Sequence, residues 1–178
     1  MRSWLVALAL ALAAAPLRAG EFRVGVGVFT FAEDGADLLV SYRPEGSRFA
    51  WGYRYVRWTD TFEDPFTGNK LTKTTSTLSG PVVNYLFRPE ARGTWYLGVS
   101  VLRWSKAERS LITGEVGTGS TTAPFFGGGY TGSIGRSSFY YNAGLFISPG
   151  AKVNTSTSVS SEEDSGGFDV QLQLGVAF

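Results

Sequence analysis

The 178-residue chain carries 16 Lys+Arg against 15 Asp+Glu, 43% hydrophobic and 15% aromatic residues, 23 glycines, and neither cysteine nor histidine. The length suits about one domain, and a formal charge of +1 leaves no basic footprint for nucleic acid. Without cysteine there is no disulfide framework, thiolate nucleophile or iron–sulfur cluster, and without histidine the Ser-His, Cys-His and HExxH schemes are gone.

The chain begins with a basic residue, Arg2, followed by an apolar run over residues 4–15 and a small residue, Ala19, at a cleavage-like position. That run is too short to cross a bilayer core of about 30 Å as a helix, so residues 1–19 are expected to be a removable signal peptide and 20–178 a single exported domain. Loss of Arg2 and Arg18 leaves 14 basic residues against 15 acidic ones.

From Glu21 onward no apolar pattern at helical spacing persists, and Gly, Thr, Val and aromatic residues dominate, which is strand composition. Val24, Val26 and Val28 alternate with Arg23, Gly25 and Gly27; Leu38, Val40 and Tyr42 with Leu39, Ser41 and Arg43; Phe49, Trp51, Tyr53 and Tyr55 with Ala50, Gly52 and Arg54. Two strands of unclear parity are expected near 76–88 and 122–133, where Pro81, Asn84 and Gly127-Gly128-Gly129 blur both faces. Trp95, Leu97, Val99 and Val101 then form one stripe, and Phe139, Tyr141, Ala143, Leu145 and Ile147 another. At the C-terminus Phe168, Val170, Leu172, Leu174, Val176 and Phe178 hold strict period two against Asp169, Gln171, Gln173, Gly175 and Ala177. The total is eight strands.

Their connections sort by length. Residues 44–47, 89–93 and 134–137 are tight turns; on the other side a short link, 32–36, is followed by three long segments, 59–75, 105–121 and 149–167, expected as loops. Outer-membrane barrels sort their connections this way, with short periplasmic turns and long extracellular loops. In a soluble sandwich or lipocalin-like barrel the non-apolar face would meet water, yet here it carries glycines, Tyr96, Tyr140 and Phe146 and few charges, which suits the filled interior of a narrow barrel. Phe22, Tyr42, Phe49, Trp95 and Phe178 fall near the short turns, and Tyr55, Trp58 and Trp104 near the long segments, as two aromatic girdles would. The stretches Phe49 to Arg57 and Trp95 to Arg103 each rise roughly 20 Å at about 40° of tilt, close to the apolar band of about 25 Å.

With its signal segment, alternating strands and terminal aromatic, the sequence resembles the small eight-stranded outer-membrane barrels of Gram-negative bacteria, the OmpA/OmpX-like group. The resemblance implies an antiparallel up-and-down barrel with both termini periplasmic. It also implies that Phe178, with Val176 and Leu174, is an insertion signal read by the barrel-assembly machinery. It is architectural and carries no subfamily motif, so it leaves function open. Barrels of this size that modify lipid A use a histidine with a serine; here that general base is missing, and Lys70, Lys73, Lys106 and Lys152 fall in or beside the expected loops.

The inward parity places Arg23, Arg43, Arg54, Asp169, Gln171 and Gln173 in a lumen polar network, with Asp169 expected to pair with Arg23 or Arg54 as a structural plug. Arg57 and Arg103 are expected at the outer interface, positioned to snorkel toward lipopolysaccharide phosphates. The acids Asp60, Glu63 and Asp64 and the run Glu162-Glu163-Asp164 lack calcium-loop spacing, and Gly127-Gly128-Gly129 precedes no helix, so no metal, phosphate site or cofactor is expected. The functional expectation is a non-enzymatic surface protein, structural or binding an extracellular ligand through three long loops, with membrane lipid and lipopolysaccharide as partners. The alternative is a narrow channel for small or hydrophobic solutes, and a lipid A-modifying enzyme is a disfavoured third.

Overall fold

The computed structural model describes residues 20–31, 34–135, 137–156 and 161–178; the expected signal segment lies outside them. Eight strands, β1 (Gly20–Gly27), β2 (Ala36–Pro44), β3 (Phe49–Glu63), β4 (Lys70–Leu86), β5 (Gly93–Ser110), β6 (Val116–Ser133), β7 (Phe139–Ser156) and β8 (Ser161–Ala177), form one antiparallel barrel in chain order. β1 closes the ring against β8 from Arg23 opposite Ala177 to Gly27 opposite Gln173. Phe22 and Phe178 seal the lower end by exchanging backbone hydrogen bonds of 3.0 and 2.8 Å. Val28, which the sequence places in the first stripe, instead opens a single 3-10 turn, Val28–Phe31.

The period-two pattern separates two environments. Outward-facing Val26, Trp51, Tyr53, Trp95, Leu97, Val99, Val101, Phe126, Leu145, Ile147, Leu172 and Leu174 are 44–65% exposed, while inward-facing Leu39, Val56, Leu78, Val82, Leu86, Tyr96, Leu102, Phe125, Tyr140 and Phe146 are buried. A contiguous apolar belt around a whole molecule has no place in water, where each Å² left uncovered forfeits about 25 cal/mol. It belongs in hydrocarbon, where a closed ring of strands satisfies every backbone group internally. No helix among the described residues is long and apolar enough to cross a membrane; the crossing elements are strands. At the short-turn end the belt finishes in touching rings: Phe49 on Tyr85 (5.3 Å), Tyr85 on Phe87 (5.6 Å), Trp95 on Tyr130 (5.2 Å) and Tyr130 on Tyr141 (6.1 Å).

Inside, large side chains lie over glycines. A Cβ on Gly98 would meet the Phe146 ring at 2.7 Å, one on Gly175 would meet Tyr140 at 2.6 Å, and one on Gly144 would collide with the Tyr96 hydroxyl. Eight strands leave room only for side chains, so each buried aromatic requires a missing one opposite. This pairing also settles the two strands of unclear parity: Leu78, Val82 and Leu86 of β4 and Ala123, Phe125 and Thr131 of β6 point inward.

The three long segments are not long loops. β3 and β4 stay paired up to Glu63 opposite Lys70, β5 and β6 up to Arg109 opposite Val116, and β7 and β8 up to Ser156 opposite Ser161. Among the described residues the turns that remain are 64–69 and 111–115; residues 157–160 lie outside them. β-branched Thr and alternating small residues suit a pleated sheet, so these hydrophilic segments extend the strands beyond the belt. In the 64–69 turn the backbone N–H of Phe66 (2.8 Å) and of Thr67 (3.4 Å) donate to Asp64 Oδ1, and the Phe66 bond in particular holds this exposed carboxyl below the usual aspartate range. Gly68 and Gly114, with φ of 69° and 77°, supply the left-handed position of each outer turn. Glu162, Glu163 and Asp164 are strand positions opposite Thr155, Asn154 and Val153 rather than a loop tip.

The extended wall is not continuous. β6 pairs with β7 only from Phe126 opposite Ile147 down to Ser133 opposite Tyr140. Pro124 and Pro149, each lacking an N–H, stand just above the last pair and end the ladder there. A four-strand sheet, β3–β6, and the β7–β8 hairpin thus extend without a hydrogen-bonded seam between β6 and β7, while Lys106, Glu108, Ser110 and Val153 remain buried between them.

Replacing Val99, mid-belt, with Arg is expected to cost about 2–4 kcal/mol in a bilayer. Urea unfolding of the vesicle-inserted barrel, followed by heat-dependent gel mobility, should show the loss; an unchanged midpoint would remove Val99 from contact with lipid.

Candidate functional site

Three levels stack inside the barrel. At the short-turn end Glu21 holds Arg23 (Nε–Oε1 2.8 Å) and Arg43 (Nη2–Oε2 3.1 Å), and Arg43 also reaches Glu90 at 3.3 Å. Arg23 donates to Thr131 Oγ1 (3.1 Å) and lies 5.3 Å from the centre of the Tyr140 ring. The space left between this level and the next amounts to about 30 Å³, room for hardly more than a water.

The middle level is a fully buried ion cluster. Arg54, with no exposed surface, bonds Asp37 through Nη1 and Asp169 Oδ1 through Nη2 at 3.2 Å. Its Nη2 also donates to the Val170 carbonyl at 3.3 Å. Gln171 Nε2 donates to Asp169 Oδ2 (3.0 Å), Gln173 Nε2 to Asp37 Oδ1 (3.4 Å), and Asn142 Nδ2 to both glutamine carbonyls, at 3.3 and 3.0 Å. Burying ions costs several kcal/mol each, and the cost is met only where partners and hydrogen bonds surround them; here all four carboxylate oxygens accept a hydrogen bond, while Arg54 Nε has no partner among the described residues. The six lumen residues expected from sequence therefore occupy two separate clusters: Arg54, Asp169, Gln171 and Gln173 in this one, Arg23 and Arg43 around Glu21. The structure adds Asp37, Glu21 and Asn142, of which Asp37 shares the parity of Leu39, Ser41 and Arg43.

The upper level is an apolar cup. Trp58 and Trp104 do not join an outer girdle: both turn inward against Val56, Leu78, Leu102 and Phe125, and Phe29 from the 3-10 turn stacks on Trp58 at 5.7 Å. Their parity follows Arg54 and Val56 on β3 and Leu102 on β5, and parity rather than aromatic character decides their direction.

Outside, just above the belt, the registers of β3–β6 define four rows: Tyr55–Ser79–Arg103–Thr122, Arg57–Thr77–Ser105–Ser120, Thr59–Thr75–Ala107–Thr118 and Thr61–Lys73–Arg109–Val116. They hold four cations, many hydroxyls and no carboxylate. Arg57 and Arg103 are exposed in adjacent rows, and Lys73 meets Asp34 at 3.2 Å. A groove of about 330 Å³ runs between Thr75, Thr77, Arg103, Ser105, Thr118 and Ser120. Asp60, Glu63 and Asp64 lie at the outer end of the β3–β4 hairpin, and among the described residues no three His, Cys, Asp or Glu gather as a metal would require. Phe178 caps the closing strand pair and is 63% exposed.

Replacing Arg54 with Met leaves Asp37 and Asp169 buried without a cation and is expected to cost about 3–5 kcal/mol. Asp169→Ala, which leaves the Arg54–Asp37 pair intact, should cost less. Urea midpoints in the same vesicles test the order; an Arg54→Met barrel as stable as the parent would mean that the cluster carries no net stability.

No protein-family model matches the chain, and no curated protein matches it. Among solved structures, a major outer membrane protein from Thermus thermophilus superposes with a TM-score of 0.55 at 14% identity, covering 89% of this chain and 98% of that one. Ail, the attachment invasion locus protein of Yersinia pestis, in complex with the heparin analogue sucrose octasulfate, gives 0.54 at 16% identity, covering 90% and 99%. At such identities the likeness speaks for the fold. The closed ring, the lipid-facing belt and these superpositions together make the chain, in fold, a small eight-stranded outer-membrane β-barrel protein.

Proposed function

We propose that this barrel is a non-enzymatic surface protein whose binding element is the outer face of the β3–β6 extension, and that it recognises phosphate- or sulfate-bearing sugars. The observation that carries this reading is the set of four rows above the belt, where Arg57, Arg103 and Arg109 stand among hydroxyls with no carboxylate in the rows, and where Lys73 is held by Asp34 at their edge. Guanidinium groups bind phosphate and sulfate through paired, charge-assisted hydrogen bonds, and neighbouring Ser and Thr hydroxyls add neutral donors. Arg57 and Arg103, directly above hydrocarbon, are placed for lipopolysaccharide phosphates of the same leaflet; Arg109, farther out and exposed, is placed for a soluble anionic glycan. The fold-level likeness to Ail, solved with a sulfated sugar, lends support without assigning a site. The buried Arg54 cluster favours a closed lumen over a channel. The lack of histidine leaves a lipid A hydrolase of the serine type without its base.

Export by the signal segment at 1–19 and insertion through a terminal signal of Leu174, Val176 and Phe178, read by the barrel-assembly machinery, belong to the same proposal.

Binding of sucrose octasulfate to the barrel in phosphatidylcholine nanodiscs tests the glycan, and a parallel comparison of lipopolysaccharide-containing discs tests the lipid. The Arg103→Ala, Arg109→Ala double variant is expected to bind the sulfated sugar about tenfold or more weakly, with affinity falling as salt rises. Equal affinity of parent and variant for both sulfated sugar and lipopolysaccharide would overturn the assignment of this face.

A further inference from the structure

The apolar cup inside the barrel is absorbed neither by the surface-binding role nor by the packing that holds the barrel closed. It is a cavity of about 280 Å³ walled chiefly by Phe29, Val56, Trp58, Leu78, Trp104 and Phe125. Below it the Arg54 cluster shuts the lumen, so the space is a blind cup and not part of a conduit. Close-packed interiors leave few voids larger than a water molecule, and an apolar cavity of about 150 Å³ already accepts benzene. This one is nearly twice that size.

Two further features point to a ligand. The indole Nε1–H of Trp104 is buried and has no acceptor among the described residues. An orphaned buried donor costs about 1–3 kcal/mol, which an acceptor brought in by a ligand would recover. The wall beside the cup is also incomplete: β1 ends at Gly27 opposite Gln173, so β8 above that point has no β1 partner. Backbone at Gly167–Val170 lines the cavity there, and Phe168, 71% exposed, stands at the top of the lipid-facing stripe.

The electrostatics restrict its charge. Among the described residues two cations border the cup, Arg54 from below, which is shared by two carboxylates, and Lys106, buried two positions beyond Trp104 on the same face of β5 and itself engaged, while Asp169 is part of the cup's own lining. An anion would face a carboxylate with no free positive partner.

We propose that the cup binds a small, uncharged, mainly apolar molecule, of the size of one or two rings or a short acyl ester, whose single hydrogen-bond acceptor takes the Trp104 Nε1–H. The experiment follows tryptophan indole resonances of the mature barrel in nanodiscs by two-dimensional NMR, titrating acetophenone, ethylbenzene and benzoate. These probes share a ring but differ in acceptor and charge. Acetophenone should shift the Trp104 resonance saturably, ethylbenzene should bind about fivefold more weakly, as the loss of one hydrogen bond implies, and benzoate should not bind. Trp51 and Trp95, on the lipid face, report simple partitioning into the bilayer. Leu78→Trp, which fills the cup, should abolish the saturable shift; Val56→Phe serves the same purpose should the first variant not fold. Trp104→Phe, read at Trp58, should erase the preference for acetophenone over ethylbenzene. Non-saturable shifts of equal size at Trp51, Trp95 and Trp104, benzoate binding as tight as acetophenone, or saturation undiminished in the filled variant would each overturn the proposal.

Discussion

Everything in this barrel answers to one condition: in hydrocarbon no water is present to accept an unpaired N–H or donate to an unpaired carbonyl. A sheet meets that condition only by closing on itself. The bonds between Phe22 and Phe178 are therefore as much a part of the fold as any core contact, because they leave the last strand no free edge at the short-turn end. Closure at eight strands then dictates the interior. The ring is too narrow for a water channel and too wide for small side chains alone, so Phe146, Tyr96 and Tyr140 lie across Gly98, Gly144 and Gly175.

The same narrowness explains the stacking of charge and grease along the axis. Arg54 occupies the centre of the barrel with no route to water, so it requires carboxylates from two walls, Asp37 of β2 and Asp169 of β8, and thereby ties together strands far apart in sequence. Glu21 acts likewise nearer the inner end, where Arg23 and Arg43 remain in partial contact with solvent. Above the ion cluster the lumen is lined by Trp58, Leu78, Trp104 and Phe125, and beyond them polar groups return, with Ser76, Lys106, Glu108 and Ser110 buried on the same parity. Closed by charge below and lined by apolar side chains, it is a cup and not a pore.

The fold is legible in the sequence because period two is a direct image of the pleat. The stripe from Phe168 to Phe178 shows which atoms meet lipid before any contact is known. Sequence and structure part where another signal outweighs that period. Residue type puts Trp58 and Trp104 in a girdle, yet counting from Arg54 and Leu102 turns both inward. Asp37 and Glu21 sit at strand ends, where the alternation is weakest and an acid reads as part of a turn. Each is the counterion of an arginine that the parity does place in the lumen, and pairing within a ring depends on register across strands, which one sequence does not display. The outer segments read as loops because they are hydrophilic, although Thr72 to Thr77 is hydroxylated at every position but Lys73 and β-branched at four of six, as suits a sheet with water on its face.

That last difference bears most on function. A long loop presents side chains on a mobile backbone, and each one must be ordered when a ligand binds, at a cost of about 1–2 kcal/mol per residue fixed. A four-strand extension has met that cost in folding: Arg57, Arg103 and Arg109 are held at set spacings along and across the strands. Rows of strands lie about 4.8 Å apart and like-facing residues about 7 Å apart along a strand, a grid on which several anionic groups of one sugar can be met at once. Rigid display of charge is what distinguishes a projecting sheet from a fringe of loops. The split at Pro124 and Pro149 ends the β6–β7 ladder, yet Lys106, Glu108 and Ser110 on the inner face of the sheet and Val153 of β7 stay buried, so the sheet is backed from within while its outer face displays the charge.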